Sequence, residues 1–149
     1  MSTNADYQPE MRKPSQKLKA LQKLIGRWRV TGGAEGTISY RWMDGGFFLI
    51  QDVDLVQNGA HITGIEIIGH LRPFGEPESP GLMSRFYDNQ GNTLDYEYEV
   101  SDDDLTIWAG AKGSPAYFKG TFSPDGKVNQ GAWTYPGGFG YESTMTKTE

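Results

Sequence analysis

The segment TLDYEYEVSDDDLTIWA, residues 93–109, carries the pattern that decides the fold. Apolar or aromatic side chains at positions 94, 96, 98 and 100 alternate with acidic ones at positions 95, 97 and 99. A period of two places the apolar side chains on one face of a β-strand and the acidic ones on the other. Asp102–Asp104 then predicts a polar turn, and Leu105, Ile107 and Trp108 predict a second strand over residues 104–109. Two strands joined by so tight a turn pair antiparallel.

The same rhythm extends over most of the chain. From Arg27 to Lys147, turn-forming residues recur at short intervals, and the segments between them have no helical periodicity. This spacing predicts about ten short strands in an all-β sandwich or barrel. The turns fall at Gly32-Gly33, Asp44–Gly46, Asn58-Gly59, Pro73–Gly81, Asn89–Asn92, Asp102–Asp104, Gly110–Ser114, Pro124–Gly126 and Pro136–Gly138. The strands after the first are predicted at residues 36–43, 46–57, 60–71, 82–88, 93–100, 104–109, 115–123, 127–135 and 139–147.

The short connections favour a barrel over a sandwich. Strands that follow one another through tight turns pair in sequence order, as an up-and-down meander. An open meander would expose two long edges, whereas closure into a barrel removes them. We therefore predict a single antiparallel up-and-down β-barrel of about ten strands. A sandwich with Greek-key crossovers is the alternative, and it would need longer connections.

A short amphipathic helix is predicted before the first strand. Ser15 is the expected N-cap, and Gly26 is the expected C-terminal glycine. Because a helix of about ten residues is too short to stand alone in water, we expect its apolar stripe to close one end of the barrel. Residues 1–13 are predicted to form a tail, and residues 14–149 a single barrel domain. The apolar stripe consists of Leu18, Leu21, Leu24 and Ile25.

Charge and cysteine content argue against several classes of function. The 149 residues include 14 basic and 19 acidic side chains, a net charge of −5, with no obvious basic face for nucleic acid. The chain has no cysteine, which excludes disulfides, thiolate catalysis and thiolate zinc sites. A basic cluster near the N-terminus is expected on the solvent side of the helix, with attachment to an anionic membrane surface as the alternative. It consists of Arg12, Lys13, Lys17, Lys19 and Lys23.

Targeting signals are not evident in the sequence. The first ten residues are polar and lack the apolar core of a secretory signal. No apolar run approaches the about 20 residues that a transmembrane helix needs. We therefore expect a cytoplasmic protein that does not insert into membranes.

Gly26-Arg27-Trp28 follows the predicted helix and opens the first strand. It resembles the Gly-x-Trp signature at the start of lipocalins and other calycin barrels. The resemblance implies that Trp28 packs across the barrel floor and that a basic residue near the end of the last strand covers it. Lys147 is the first candidate for that residue, and Arg29 is the second.

A longer set of motifs resembles a bacterial family of short lipocalin-like proteins of unknown function. The resemblance spans residues 18–147 and implies the barrel fold without naming a ligand. Because cysteines and a secretory signal are absent, the resemblance favours intracellular relatives, which include fatty-acid-binding and nitrobindin-like barrels. The matching segments are residues 40–49, 64–70, 121–126 and 131–133.

The barrel interior is the predicted functional site. A barrel of this size is either filled by side chains or able to hold a small ligand. The chain contains 7 Phe, 4 Trp and 8 Tyr, many of them in predicted strands, and apolar cavities with few polar groups are the usual small-molecule sites. We predict a ligand cavity, with a closed aromatic core as the alternative. The predicted aromatic lining consists of Tyr40, Trp42, Tyr96, Tyr98, Trp108 and Trp133.

Glu66 interrupts the otherwise apolar segment Ile62–Ile68. If Glu66 faces inward, burial raises its pKa unless a cation pairs with it, and Arg85 and Lys119 are the candidate cations. An inward Glu66 would bind a ligand's hydroxyl or amine, or act as a base. Two interpretations remain open beside this one, an outward carboxylate facing water and an inward ion pair with a structural role only. Glu66 and Arg85 complete the predicted ligand-binding set.

The two histidines and the longest loop suggest further roles. His61 follows the Asn58-Gly59 turn and is expected at the surface, whereas His70 ends an apolar strand. A haem-binding relative would need an axial histidine, for which His70 is the weak candidate. No other metal ligand and no cofactor is predicted. The long Pro73–Gly81 loop is interpreted as a connector, or as a gate to the cavity.

Three functions from different classes are consistent with these features. The first is non-catalytic binding of a small hydrophobic or aromatic molecule inside the barrel. The second is a cavity enzyme, an isomerase, cyclase or hydrolase, that uses Glu66 as its acid or base. The third is an interaction module that forms a homodimer through an apolar outer face. The aromatic-rich strands favour the first.

Overall fold

Ten antiparallel strands form one closed barrel in the computed structural model, which describes residues 12–149. Each strand pairs with its neighbours in sequence, and β1 pairs with β10 to close the barrel. The prediction of an up-and-down barrel is confirmed, and the sandwich alternative is wrong. The strands are β1 Gly26–Gly32, β2 Glu35–Trp42, β3 Leu49–Gln57, β4 Ala60–Gly69, β5 Leu82–Asp88, β6 Thr93–Ser101, β7 Asp104–Ala109, β8 Tyr117–Phe122, β9 Val128–Thr134 and β10 Tyr141–Lys147.

The predicted strand boundaries agree with the structure except near glycine-rich or proline-rich turns. The largest difference is at the start of β3, which was expected at Gly46 and begins at Leu49. Gly45 and Gly46 have φ values of 98° and 76°, the consecutive positive values of a turn and not of a regular strand. The backbone N–H of Met43 donates to the carbonyl of Phe48 at 2.8 Å and closes this turn.

The predicted N-terminal helix is present in two parts. An α-helix, α1, spans Gln16–Lys19, and a 3₁₀ helix continues it over Ala20–Leu24. The Ser15 side chain accepts a hydrogen bond from the backbone N–H of Leu18 at 3.1 Å, which confirms the predicted N-cap. Neither helix in this described part of the chain is long and apolar enough to span a bilayer.

Gly26 directly follows Ile25, the C-cap residue of the 3₁₀ helix, as predicted, and it has a φ of 128°. Gly26 is also the first residue of β1. A β-carbon at Gly26 would lie 2.5 Å from the carbonyl oxygen of Glu149. Glycine is therefore needed at this position because the end of the chain passes close to it.

The helix closes one end of the barrel, as expected from its apolar stripe. Leu18, Leu21 and Leu24 are buried in the barrel core. The Lys17 ammonium donates to the carbonyl of Pro80 at 3.0 Å, and Lys23 donates to the carbonyl of Asp102 at 2.6 Å. Both partners lie in connections after even-numbered strands, so the helix covers the end where those connections lie. The hairpins β1–β2, β3–β4, β5–β6, β7–β8 and β9–β10 turn at the opposite end.

The basic cluster near the N-terminus is exposed, as expected for the solvent side of the helix. Lys17, Lys19 and Lys23 are exposed on α1 and the 3₁₀ helix, and Arg12 and Lys13 are exposed just before them. Of the predicted tail, residues 1–11 lie outside the described residues.

Trp28 lies across the barrel floor, where the resemblance to calycin barrels places it. Its side chain is fully buried, and its indole N–H donates to the carbonyl of Leu24 at 2.8 Å. The ammonium of Lys147 lies 5.7 Å from the centroid of the indole ring, within the range of a cation–π contact. Lys147 therefore covers Trp28 as expected, while Arg29 is exposed on the outer face.

We expect the Leu21→Ala variant to lower the free energy of unfolding by about 2 to 5 kcal/mol. Leu21 is fully buried between the 3₁₀ helix and the barrel core, so its truncation leaves a cavity under the helix. Urea denaturation measures the change. Lys19→Ala, at an exposed position of α1, is the matched control and should stay within about 0.5 kcal/mol of the parent protein. Equal effects of the two substitutions would contradict the docked helix.

Candidate functional site: the barrel cavity

The barrel contains a cavity of about 300 Å³. This volume is at the lower end of the range found for small-molecule sites. The cavity reaches the hairpin end of the barrel, where Gln57 and Asp88, at the ends of β3 and β5, line it. Its other lining side chains are mostly apolar or aromatic. The interior is therefore hollow between the hairpin end and the core that packs against the helix.

Most of the predicted site residues meet in this cavity. Tyr40, Glu66, Tyr96, Tyr98 and Trp133 all line it. They come from β2, β4, β6 and β9, so strands distant in sequence supply one site.

Trp42 has the same inward phase as Tyr40 but lies at the helix-covered end. Its indole N–H donates to the side-chain oxygen of Gln22 in the 3₁₀ helix at 2.8 Å. Trp42 packs against the core and is not part of the cavity lining. It joins the helix to the barrel.

Arg85 and Trp108 were predicted to line the barrel interior. This placement is wrong, because both side chains lie on the outer face. The Arg85 guanidinium is exposed and donates to the carboxylate of Asp95 at 2.7 and 3.1 Å. Trp108 lies beside Lys112, whose ammonium is 5.6 Å from the ring centroid. The physical reason is strand phase, since the inward positions are 82, 84 and 86 in β5 and 105 and 107 in β7. Lys119, the other candidate partner of Glu66, is exposed as well.

Glu66 faces inward, with 4% of its surface exposed. The hydroxyl of Ser84 donates to its Oε2 atom at 2.5 Å. Burial raises the pKa of Glu66 to about 7, although hydrogen bonds from Ser84 and Tyr98 lower it in part. The interpretations of Glu66 as an outward carboxylate or as a partner of Arg85 or Lys119 are therefore wrong.

A row of paired residues fixes the height of Glu66 in the barrel. Tyr40 pairs with Gln51, Gln51 pairs with Glu66, and Glu66 pairs with Phe86 across β2, β3, β4 and β5. Paired residues on neighbouring strands point to the same face. The amide of Gln51 donates to the hydroxyl oxygen of Tyr40 at 2.8 Å. A short polar row therefore crosses an otherwise apolar interior.

Gln51 and Ser84 belong to the site and were missed from the sequence. The sequence does indicate that Gln51 faces inward. Asp52 and Asp54 face outward, and the alternation along a strand then places position 51 on the inner face. No such signal exists for Ser84, since both faces of the strand Leu82–Asp88 contain apolar residues.

An aromatic wall, defined as Tyr96, Phe118, Trp133 and Tyr135, lines the cavity on the side of β6, β8 and β9. The ring centroid of Trp133 lies 5.9 Å from that of Tyr96 and 5.6 Å from that of Phe118. Tyr135 stacks on Trp133 at 5.9 Å with an angle of 8° between the ring planes. Such offset and tilted arrangements are those that aromatic rings prefer. The wall therefore offers a preformed surface to a flat ligand.

Buried hydroxyl groups give the cavity several protonated donors. Burial raises the pKa of Tyr141 to about 12, and it raises those of Tyr96 and Tyr98 further from the ordinary value. These phenols stay neutral at physiological pH. Each can donate one hydrogen bond to a ligand in the cavity.

His70 lies outside the cavity and fastens the helix instead. Its Nδ1 atom is 2.7 Å from the carbonyl oxygen of Ser79, and its Nε2 atom is 2.7 Å from the hydroxyl of Ser15. Nδ1–H must donate to the carbonyl, so Nε2 accepts from Ser15. Both ring nitrogens have protein partners, so this arrangement does not support His70 as a haem ligand, and that role stays a prediction. His61 is exposed and contacts Asp54, as expected for a surface residue.

The long loop between β4 and β5 lies at the helix-covered end of the barrel. Ser79 in this loop binds His70, and Pro80 accepts the hydrogen bond from Lys17. The cavity opens at the other end, so the loop is a connector and the proposed gate is wrong. Over residues 12–149, no group of three or more His, Asp or Glu side chains is arranged to hold a metal ion.

Comparison of the sequence with models of known protein families finds no match, and comparison with curated proteins finds none either. The closed ten-strand antiparallel barrel is consistent with a calycin-like fold.

We expect the stability of the protein to fall between pH 4.5 and about pH 7 because of Glu66. Over this window the unfolded chain loses the Glu66 proton while the folded protein keeps it, so folding becomes less favourable as pH rises. The change is at most about 3 kcal/mol. In the Glu66→Gln variant this part of the pH dependence should vanish. Urea denaturation across the pH range measures the free energy of unfolding of both proteins.

The control for this prediction is Glu142→Gln, which changes an exposed carboxyl on the outer face of β10. It should follow the parent protein at every pH. A Glu66→Gln variant with the same pH dependence as the parent would show that Glu66 is not buried.

Proposed function

We propose that this protein binds one small aromatic or hydrophobic molecule inside the barrel. The observation that supports the proposal is the preformed cavity, which is open at the hairpin end and carries an aromatic wall next to a short polar row. Predominantly apolar lining with a few convergent polar groups is the usual composition of a ligand site.

The cavity volume limits the ligand to a small molecule. Its about 300 Å³ is twice the about 150 Å³ of an engineered apolar cavity that takes up benzene. A ligand of about two fused rings with a short substituent therefore suits the space. The flat surface of Trp133 and Tyr135 is suited to one face of such a ring system.

The resemblance to calycin barrels supports the same proposal. Trp28 under Lys147 and the closed ten-strand barrel are the features that the resemblance implies. We infer that the protein belongs among the intracellular lipocalin-like barrels, and the absence of cysteine is compatible with a reducing compartment.

We expect Leu55→Trp to weaken the binding of 2-naphthol, a neutral two-ring probe, at least about tenfold. Leu55 lines the cavity near the end of β3, and a larger ring there occupies the space the probe needs. Val56→Trp introduces the same ring at the next position, which is 48% exposed on the outer face, and should leave binding unchanged. Isothermal titration calorimetry measures both.

Solvent extraction of the purified protein, followed by mass spectrometry, identifies any molecule retained from the cell. If naphthol binds the Leu55→Trp variant as well as it binds the parent, the cavity is not the binding site. If naphthol fails to bind the parent and extraction recovers no small molecule, the proposed function is contradicted.

Acid–base catalysis in the same cavity is the second candidate function. The observation that favours it is the raised pKa of Glu66, about 7, because a general acid or base works best when its pKa is near the working pH. An isomerase, cyclase or hydrolase would fit this chemistry. Incubating an extracted molecule with the protein and following its conversion tests the idea, and Glu66→Gln should abolish any conversion.

Homodimer formation stays a prediction. Ile65, Ile67 and Tyr87 are exposed on the outer face of β4 and β5, where Ile65 pairs with Tyr87. Charged neighbours Asp52 and Arg85 share that face. Light scattering at high protein concentration tests it, and a monomer there would contradict the dimer.

A further inference from the structure

We propose that the ligand of the cavity is an organic cation, a ring-bearing amine whose protonated nitrogen binds Glu66. This inference rests on the proposed binding function and specifies its ligand class.

The ionisable carboxyl groups that line the cavity are not accompanied by any basic side chain in the described lining. Glu66 and Asp88 line the cavity, whereas none of its lining residues within the described part of the chain is Lys, Arg or His. Arg85 on the neighbouring strand β5 and Lys119 on β8 are exposed on the outer face. A buried carboxylate is normally paired with a cation, and here the protein supplies none from its own side chains. A cationic ligand would supply the missing charge.

The hydrogen bonds at Glu66 leave room for a ligand. An ionised carboxylate offers about four acceptor positions. Ser84 donates to one oxygen, and the Tyr98 hydroxyl also acts as a donor toward the carboxyl. The remaining positions suit an ammonium group, which has several N–H donors and no acceptor. Charge-assisted hydrogen bonds of this kind are about twice as strong as neutral ones.

Aromatic rings line the same cavity as the carboxylate and would stabilise a cation as well. Tyr40, Tyr96 and Tyr98 line it together with Glu66, and the ring of Trp133 packs against that of Tyr96 at a centroid distance of 5.9 Å. The face of an aromatic ring is negative and attracts cations within about 6 Å of its centroid. A protonated amine in this cavity would therefore be attracted by the carboxylate and by the aromatic lining.

The same arrangement disfavours anionic ligands. A ligand carboxylate close to Glu66 would place two negative charges together in a poorly hydrated space, where repulsion is strong. Hydrogen bonds from Asn92 hold the pKa of Asp88 below its usual range, so the mouth of the cavity is also negative. Fatty acids and aromatic acids are therefore expected to bind weakly.

The affinity for a cation should depend on pH through Glu66. Besides Glu66, the titratable side chains that line the cavity are Asp88 and five phenols, those of Tyr40, Tyr96, Tyr98, Tyr135 and Tyr141. Burial raises the pKa of each phenol, so the phenols stay neutral near neutral pH, and Asp88 stays charged, which leaves Glu66 as the group that changes. Because only the ionised carboxylate attracts a cation, affinity should rise with pH through about 7.

Three probes of matched shape test the proposal. They are 2-naphthylmethylamine as the cation, 2-naphthalenemethanol as the neutral analogue and 2-naphthoic acid as the anion. Isothermal titration calorimetry at about pH 8 should show the amine binding at least about tenfold more tightly than the alcohol, and the acid binding most weakly. Glu66→Gln should remove the amine's advantage over the alcohol. Glu142→Gln, on the outer face, should preserve the order of the three probes.

A second measurement needs no variant. For the parent protein, the amine's affinity should rise between about pH 6 and about pH 8, while the affinity of the alcohol should stay constant. An acid that binds as tightly as the amine, or an amine no better than the alcohol at any pH, would overturn the cationic ligand and leave a neutral-ligand function standing. Failure of all three probes to bind would overturn the cationic ligand and, if extraction also recovers no small molecule, the binding function together with it.

Discussion

The pairing of β1 with β10 is the constraint on which the rest of the structure depends. Hydrogen bonds between residues 28–32 and 143–147 close the sheet. Once the sheet is closed, every second side chain of each strand points into the barrel interior. The same pairing places Lys147 over Trp28 and brings the end of the chain against Gly26. With the helix across that end, the interior can open only through the hairpins.

Closure also explains why a carboxyl is buried without a cation. Glu66 is carried inward by the register of β3 and β4, and Arg85 is carried outward by the register of β4 and β5, in which it pairs with the outward Ile67. The two side chains are close in the sheet but lie on opposite faces of it. Hydrogen bonding by Ser84 compensates for the burial of Glu66 only in part, so the pKa of Glu66 stays raised.

Much of the fold follows from the sequence, and more of the site could have been predicted from it. Turn residues locate the strands because glycine and asparagine adopt positive φ, as Asn58 and Gly59 do between β3 and β4. That two-residue turn pairs Gln57 with Ala60, and counting along both strands pairs Gln51 with Glu66. Since Asp52 faces outward, the inward position of Glu66 follows.

Other parts of the site do not follow from the sequence, because strands that are apolar on both faces give no phase. β5 and β7 are such strands, which is why Arg85 and Trp108 were expected inside. The central claim is that Glu66 is buried in the wall of a ligand cavity. An NMR titration of its side-chain carboxyl carbon, assigned with Glu66→Gln, tests this most directly. The account predicts a pKa of about 7, and a value near the about 4.3 of a solvated glutamate would contradict it.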